Sequence, residues 1–177
     1  MTAVASEAAL LPVDLRLRDG RRVTLRPVRA ADKDALQTAV KRLSPESRYS
    51  RFMSALRELS PQMLERGVHP ERGRELQLVA VFGDAIVGGA RYSAAASKDC
   101  EFAIAVVGEW QGAGLARLLL ETLMREARAR GFERMEGYIL ASNARMLGLA
   151  ARLGFAQVES PEGPTVQLVR RELSGLA

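Results

Sequence analysis

A turn with two glycines lies near the middle of the chain, between an apolar run and a long amphipathic segment. The run from Phe102 to Val107 is typical of a strand, and the residues after Gly114 place leucines on one face of a helix. The turn from Glu109 to Arg117 therefore opens a helix, where backbone N–H groups lack partners and the helix dipole is positive. Because Gly112 and Gly114 have no Cβ atoms, a ligand can approach the backbone closely. This strand–turn–helix unit predicts a phosphate-binding loop.

Length and composition predict one folded domain. A chain of 177 residues can bury a sizeable core, and its 47% hydrophobic and 27% charged residues are typical of globular proteins. Because no repeat or interior linker is visible, we expect a flexible leader over residues 1–12 and a single domain over residues 13–177. No apolar run reaches the ~20 residues of a membrane helix, no signal peptide is recognisable, and Cys100 is the only cysteine. These features favour a cytoplasmic protein that meets no membrane.

The charge of the chain limits its partners. The formal net charge is +5, and most of the basic residues are Arg. Such a balance suits nucleic acid or an anionic cofactor. The Arg residues are spread over every segment, and no basic run alternates with aromatic residues, which make up only 5% of the chain. Nucleic acid is therefore the less favoured partner, and DNA binding is kept only as a rival hypothesis.

The periodicities predict strands and helices along the whole chain. Alternating residues around Asp19-Gly20 predict a hairpin, and Ser44-Pro45 and Ser60-Pro61 each predict a helix start. Further strands are expected at 76–82, 86–92, 100–106, 135–140 and 166–171, and further helices at 31–43, from the central turn to 131, and at 143–153. The polar segment 66–74 is expected to be a mobile region of turns.

A second patterned segment runs from Gly137 to Phe155. Its residues Asn143, Met146, Leu149, Gly154 and Phe155 match N-x-x-[AM]-x-x-L-x-x-x-x-G-F. In the central turn, Gln111, Gly114 and Ala116 match Q-x-x-G-x-[GA]. The two patterns, in this order, resemble those of the GNAT N-acetyltransferase superfamily. The resemblance implies an α/β (α+β) fold, with a mixed, mostly antiparallel sheet whose central parallel strands splay apart, and acetyl-CoA as cosubstrate.

The resemblance also implies which residues hold acetyl-CoA. The central turn would bind the pyrophosphate through Gln111, Gly112, Ala113, Gly114, Leu115, Ala116 and Arg117. Backbone groups of Ile104, Ala105 and Val106 would hold the pantetheine arm and polarise the thioester carbonyl. Asn143 would bind the same arm, although its position is also that of a plain helix N-cap.

A third segment, Leu43 to Met53, resembles a signature of the GNAT domains of bacterial Pat-type protein lysine acetyltransferases. Those domains also favour a form of the second pattern that Gly137, Leu140, Asn143 and Met146 match. The resemblance implies direct acetyl transfer to a primary amine in a ternary complex. The acceptor is left open between a protein lysine and a small amine, and the protein is expected to be a monomer or a homodimer.

Glu101 is the residue predicted to move a proton. Alternation along the strand places it on one face with the small side chains of Ala103 and Ala105, which leaves room for a substrate. An amine with a pKa near ~10.4 must lose a proton before it attacks a thioester, and a partly desolvated carboxylate can accept that proton. In Pat-like domains a Glu at this place has that role. The alternative is a structural Glu held in a salt bridge at the start of a strand.

The proton donor to the leaving thiolate is not fixed by the pattern. Many family members use a Tyr where this chain has Ala150. Tyr138, Tyr92, Ser142 or water could replace it, or the thiolate could leave unaided. A non-catalytic acyl-CoA sensor is therefore the alternative function. His69 is the only histidine and no Cys/His cluster has metal spacing, so no metal is expected. Cys100 and Trp110 are expected to be packing residues.

Overall fold

The computed structural model describes residues 11–176. Its strands are β1 (Val13–Arg16), β2 (Arg22–Pro27), β3 (Glu75–Phe82), β4 (Ala85–Ala94), β5 (Asp99–Val106), β6 (Arg134–Leu140), β7 (Ala156–Val158) and β8 (Val166–Glu172). Its α-helices are α1 (Lys33–Arg42), α2 (Pro45–Phe52), α3 (Pro61–Val68), α4 (Leu115–Ala129) and α5 (Ala144–Arg152). No helix of these residues is long and apolar enough to cross a membrane.

The strands form one eight-stranded sheet in the order β1-β2-β3-β4-β5-β6-β8-β7. Within residues 11–176, β5 and β6 are the one parallel pair, and every other neighbouring pair is antiparallel. The parallel pair arises because the chain crosses over through α4 between these two strands. The predicted mixed, mostly antiparallel sheet is confirmed.

The local signals at the helix starts act as the sequence predicts. Ser44 accepts a hydrogen bond from the backbone N–H of Ser47, and Ser60 accepts one from that of Met63. Each is followed by a proline in the first turn, where a missing N–H costs nothing. These two caps fix where α2 and α3 begin, and α2 packs against β5.

The core lies between the sheet and the helices that cover it. Helix α4 packs on β4 and β5 and completely buries three of its leucines, Leu119, Leu120 and Leu123. One buried ion pair anchors the start of α1: Arg26 on β2 donates two hydrogen bonds to Asp32, at 2.8 and 2.9 Å. Asp32 also accepts the backbone N–H of Arg29 at 2.7 Å.

The structure corrects the predicted boundaries at several places. Helix α4 ends at Ala129, before the expected Gly131, because Gly131 adopts a positive φ of 90°. The first part of segment 66–74 is helical, since α3 continues to the buried Val68. Strand β7 was not predicted. Most of the predicted leader, residues 1–10, lies outside the described residues, whereas Leu11 packs against the core.

Candidate active site

The parallel strands β5 and β6 separate partway along their length. They pair at Asp99 with Arg134, at Cys100 with Met135 and at Glu101 with Glu136, and their pairing ends there. Strand β5 nevertheless continues to Val106 and β6 to Leu140. The edge of β5 that faces β6 therefore has backbone groups without a strand partner beyond Glu101. An extended ligand can pair with such an edge.

The separated strands open into a cleft of about 2000 Å³. Its walls come from α2, β5, the turn before α4, β6 and the start of α5. Every residue predicted for the site lines this cleft: Glu101, Ile104, Ala105, Val106, Gln111, Gly112, Ala113, Gly114, Leu115, Ala116, Arg117 and Asn143. The fold thus brings together segments that are far apart in the sequence.

The turn before α4 presents free backbone donors to the cleft. Among residues 11–176, no protein acceptor takes the backbone N–H groups of residues 112–117. Gly112 and Gly114 have φ angles of 80° and 91°, which other residues rarely adopt. Arg18 lies against the turn: its Nη2 donates to the carbonyl of Gly112 at 3.2 Å, and its backbone N–H donates to that of Ala113 at 3.1 Å. Free donors, a helix dipole and a guanidinium are features that suit this end of the cleft to an anion.

Gln111 connects the turn to its surroundings. Its Nε2 donates to the carbonyl of Val106 at 3.1 Å and to Ser47 Oγ at 3.3 Å, and its Oε1 accepts from Arg145 Nη1 at 3.1 Å. Its backbone N–H donates to the carbonyl of Gly108. Gln111 therefore ties the turn to β5, α2 and α5, and the free N–H groups begin only after it.

Asn143 caps α5 and keeps a donor for the cleft. Its Oδ1 accepts the backbone N–H of Met146 at 3.2 Å, so the plain capping role is present. Its amide nitrogen donates to no acceptor within residues 11–176 and the residue lines the cleft. One side chain can therefore cap a helix and bind a ligand at the same time.

Within the described part of the chain, Glu101 carries no ion pair. No Lys, Arg or His of residues 11–176 lies within 4.0 Å of its carboxylate, so the salt-bridge alternative has no partner here. Partial desolvation by the cleft walls, together with the charge of Glu136, raises the pKa of Glu101, while Arg91 and Arg51 oppose this shift. A carboxyl group with a raised pKa is a better base than an ordinary surface Glu.

Of the side chains considered as proton donors to the leaving thiolate, only some line the cleft. Ala150 is completely buried and Tyr92 is buried against Phe132, and neither lines the cleft. Tyr138 and Ser142 do line it. Partial desolvation and the carboxylates of Glu136 and Glu101 raise the pKa of Tyr138, so its hydroxyl remains protonated.

The predicted packing residues are confirmed as such. Cys100 is buried, and burial raises the pKa of its thiol to about 12. Trp110 is buried against Phe82, with ring centroids 5.0 Å apart, and lies under the guanidinium of Arg21. Residues 11–176 contain no group of His, Cys, Asp and Glu that could hold a metal ion.

Sequence reasoning missed five arginines that line the cleft: Arg16, Arg18, Arg51, Arg145 and Arg152. Arg18 comes from the hairpin after β1, and only the fold brings it to the turn before α4. Arg51 and Arg145 lie within segments that the sequence patterns cover, but neither occupies a position that the patterns define. The sequence therefore did not indicate that their side chains line the cleft.

Comparisons with known proteins agree with this geometry. Residues 38–155 match the acetyltransferase (GNAT) family model. A Pseudomonas aeruginosa acetyltransferase, PA5475, is 32% identical over 160 residues, which cover 88% of this chain and 86% of that protein. The crystal structure of the GNAT domain of S. lividans PAT has a TM-score of 0.86 and 28% identity, covering 90% of this chain and 96% of that one.

A further similar structure is that of Salmonella typhimurium yncA, which was determined with acetyl-CoA. Its TM-score is 0.72 at 21% identity, with 88% of this chain and 96% of that chain covered. At this identity the likeness concerns the fold alone. The family model and the P. aeruginosa relative go further, because they match most of the sequence. The chain belongs to the acetyltransferase (GNAT) family.

Proposed function

We propose that this protein transfers the acetyl group of acetyl-CoA to a primary amine in a ternary complex. The observation that carries the proposal is the separation of β5 from β6 beyond Glu101. The resulting cleft contains the carboxylate of Glu101, the free edge of β5 and the backbone N–H donors of the turn before α4. We also propose that residues 13–177 act as one domain and that the setting is the cytoplasm.

The residues along the cleft fit acetyl-CoA. Its phosphoryl groups need donors and positive charge, which the N–H groups of residues 112–117 and the side chains of Arg18, Arg117 and Arg145 offer. The pantetheine arm is an extended chain with amide groups. The free edge of β5 at Ile104–Val106 and the amide nitrogen of Asn143 would bind such a chain.

In the proposed reaction, acetyl-CoA supplies the acetyl group and the protein supplies the groups that transfer protons. Acetyl-CoA supplies an acyl thioester, in which the C–S bond breaks as the amine nitrogen bonds to the carbonyl carbon. Glu101 takes the proton that the ammonium form of the acceptor must lose. Tyr138, on the opposite side of the opening, is the residue proposed to give a proton to the departing thiolate, since the family's usual position is Ala150 here. The products are an amide and the free thiol.

One observation favours the alternative function of a non-catalytic acyl-CoA sensor. Ala150 is buried in the core, so this chain lacks the usual donor of many relatives. A thiol with a pKa near ~8.5 is a fair leaving group without assistance, so the loss does not exclude turnover. The presence of Tyr138 in the cleft further weakens the sensor interpretation.

The test is a pair of measurements on the purified protein. Calorimetry with acetyl-CoA reports binding, and release of free thiol in the presence of a lysine peptide or small amines reports turnover. We expect binding together with thiol release that depends on the acceptor. Binding with no acceptor-dependent release from a broad set of amines would favour the sensor, and absence of binding would contradict both functions.

A further inference from the structure

Within residues 11–176, Arg51 lines the cleft and has no counterion. It is in the last turn of α2, the helix that packs on β5, and it lines the same cleft as Glu101. Its guanidinium stacks over the ring of Phe52, with 4.7 Å between guanidinium carbon and ring centroid. Stacking of this kind fixes the plane of a guanidinium and leaves its N–H donors free at the edge.

Within residues 11–176, no carboxylate lies within 4.0 Å of Arg51. The acidic residues that line the cleft are Glu46, Glu101 and Glu162, and none of them pairs with it. The nearby Arg91, in contrast, has a carboxylate partner, because its Nη2 lies 2.8 Å from Glu75 Oε1. Within residues 11–176, Arg51 is therefore a cation of the cleft that has no carboxylate partner and lies near enough to Glu101 to influence its pKa.

This arrangement is costly in the absence of an anion. Burial and the nearby charge of Arg91 lower the pKa of Arg51 to about 10, whereas Glu101 acts in the opposite direction. A partly buried guanidinium gains more than a fully exposed one from a planar anionic partner. Arginine also binds carboxylates with two parallel hydrogen bonds, which adds direction to the attraction.

We infer that the acceptor amine carries a carboxylate, and that Arg51 binds this carboxylate while Glu101 faces the amine. This inference rests on the proposed acetyl transfer and narrows its substrate class. The carboxylate could belong to a small amino acid or to an acidic side chain beside a lysine, and the chemistry of the contact is the same.

The experiment compares the wild-type protein, Arg51→Met and the control Arg57→Met. Arg57 is exposed and does not line the cleft. The acceptors are glycine, β-alanine, 4-aminobutyrate and 6-aminohexanoate, each paired with its carboxamide. Lysine peptides with a neighbouring Glu or Gln form a second series, which separates a protein source from a small-molecule source. Thiol release from acetyl-CoA gives kcat/KM for each acceptor.

A binding measurement accompanies the kinetics and requires no turnover. The Nε–H signal of Arg51 is followed by NMR in the presence of CoA, while the N-acetylated members of the amino-acid series and their carboxamides are added. A carboxylate on Arg51 should move this signal, whereas the neutral carboxamide should not.

We expect a carboxylate to raise kcat/KM by about 10- to 100-fold over the matched amide, the usual range for hydrogen bonds to charged groups. The advantage should disappear in Arg51→Met and persist in Arg57→Met. The responding series identifies the source of the carboxylate. Equal rates for carboxylate and amide would overturn the inference while acetyl transfer stands. An advantage that survives in Arg51→Met would overturn it too, as would an equal loss for both members of each pair.

Failure of the proposed function has a different signature. If no amine of either series is acetylated although acetyl-CoA binds, acetyl transfer to these amines fails, and the NMR signal decides on Arg51 separately. A carboxylate-specific shift would then support the anion site, and a signal that ignores the carboxylate would refute it.

Discussion

The ring of Phe102 occupies the space that a side chain at Gly137 would need. A Cβ atom built on Gly137 would lie within 2.8 Å of three carbon atoms of that ring. The ring also packs against Phe155, with centroids 5.3 Å apart. Phe102 and Gly137 directly follow the last paired residues of β5 and β6, Glu101 and Glu136. The glycine of the second sequence pattern is thus required where the two strands begin to separate.

Replacing Gly137 by Ala should destabilise the fold and disturb the cleft. The new methyl group cannot fit beside Phe102, and overpacking of this kind costs about 1–3 kcal/mol. The free energy of unfolding in urea measures the loss. Gly175→Ala is the matched control, because no atom lies within 4 Å of its Cβ position and its φ is ordinary. If Gly137→Ala is as stable as the control, the packing relationship with Phe102 has no energetic weight.

Asn143→Asp separates capping from ligand binding. Asp caps a helix as well as Asn does, so the stability should change by less than about 0.5 kcal/mol, while Asn143→Ala should lose about 1 kcal/mol. Asp cannot donate from its side chain, so we expect the KM for acetyl-CoA to rise in both variants. Asn143→Ser, an uncharged cap of similar quality, controls for repulsion by the new carboxylate. A normal KM in all three variants would leave Asn143 with capping as its sole role.

Arg117→Glu tests the anion site at the start of α4. An acidic residue in the first turn is favoured by the helix dipole, which offsets the lost pair with Glu121, so stability should change by less than about 1 kcal/mol. Acetyl-CoA binding should weaken by about tenfold or more at low salt and by less at high salt. Arg125→Glu makes the same charge change on the same helix outside the cleft and should bind nearly normally. Equal affinities of the two variants, measured by calorimetry, would contradict the site.

The ion pair of Arg26 with Asp32 should make stability depend on pH. Hydrogen bonds from Arg26 hold the pKa of Asp32 below its usual range. The pair therefore stabilises the fold above the ordinary pKa of an Asp, and this contribution is lost as the pH falls through the lowered value. Asp32→Asn leaves a largely buried Arg26 without a counterion and should cost about 3 kcal/mol at pH 7.

The difference between Asp32→Asn and wild type should shrink in strong acid, which urea unfolding at a series of pH values can follow. The control Asp34→Asn, at an exposed position in the first turn of α1, should lose at most about 1 kcal/mol. A difference between Asp32→Asn and wild type that does not vary with pH would contradict the assignment.

Much of the fold was predictable because its signals are local. Ser44 and Ser60 cap α2 and α3, the two helices whose starts they predict. The alternating segments on either side of Gly20 form the hairpin of β1 and β2. The two family patterns predicted that the turn before α4 and Asn143 belong to one site, and both line the same cleft. These features depend on residues that are close in sequence, and their physical causes act over the same short range.

The remaining features depend on contacts between distant segments. Strand β7 has only three residues, two of them exposed, so it leaves no periodic pattern, and it pairs with β8 only in the folded chain. Arg18 reaches Gly112 from the first hairpin. Within residues 11–176, Glu101 has no ion-pair partner, and the nearby Arg91 pairs with Glu75 instead. No spacing in the sequence encodes such a relationship.

Glu101→Gln should not weaken the fold. Desolvation raises the pKa of this carboxyl group, so its ionised form is less favourable in the native state than in the unfolded chain. Stability therefore falls as the pH rises above the unfolded pKa, and removing the charge should leave the protein at least as stable at neutral pH. A structural salt bridge would require the opposite, a lower melting temperature.

The kinetics of Glu101→Gln test the central claim most directly. Thiol release with a saturating amine is measured from pH 6 to 10 for this variant, for wild type and for Glu133→Gln, which changes an exposed carboxylate outside the cleft. Loss of a general base should lower turnover by about 10²–10⁴-fold at neutral pH, with acetyl-CoA affinity nearly unchanged. The deficit should shrink as the pH rises, because more of the amine arrives deprotonated. Turnover equal to that of wild type in a folded Glu101→Gln protein would contradict the role of Glu101 as the base.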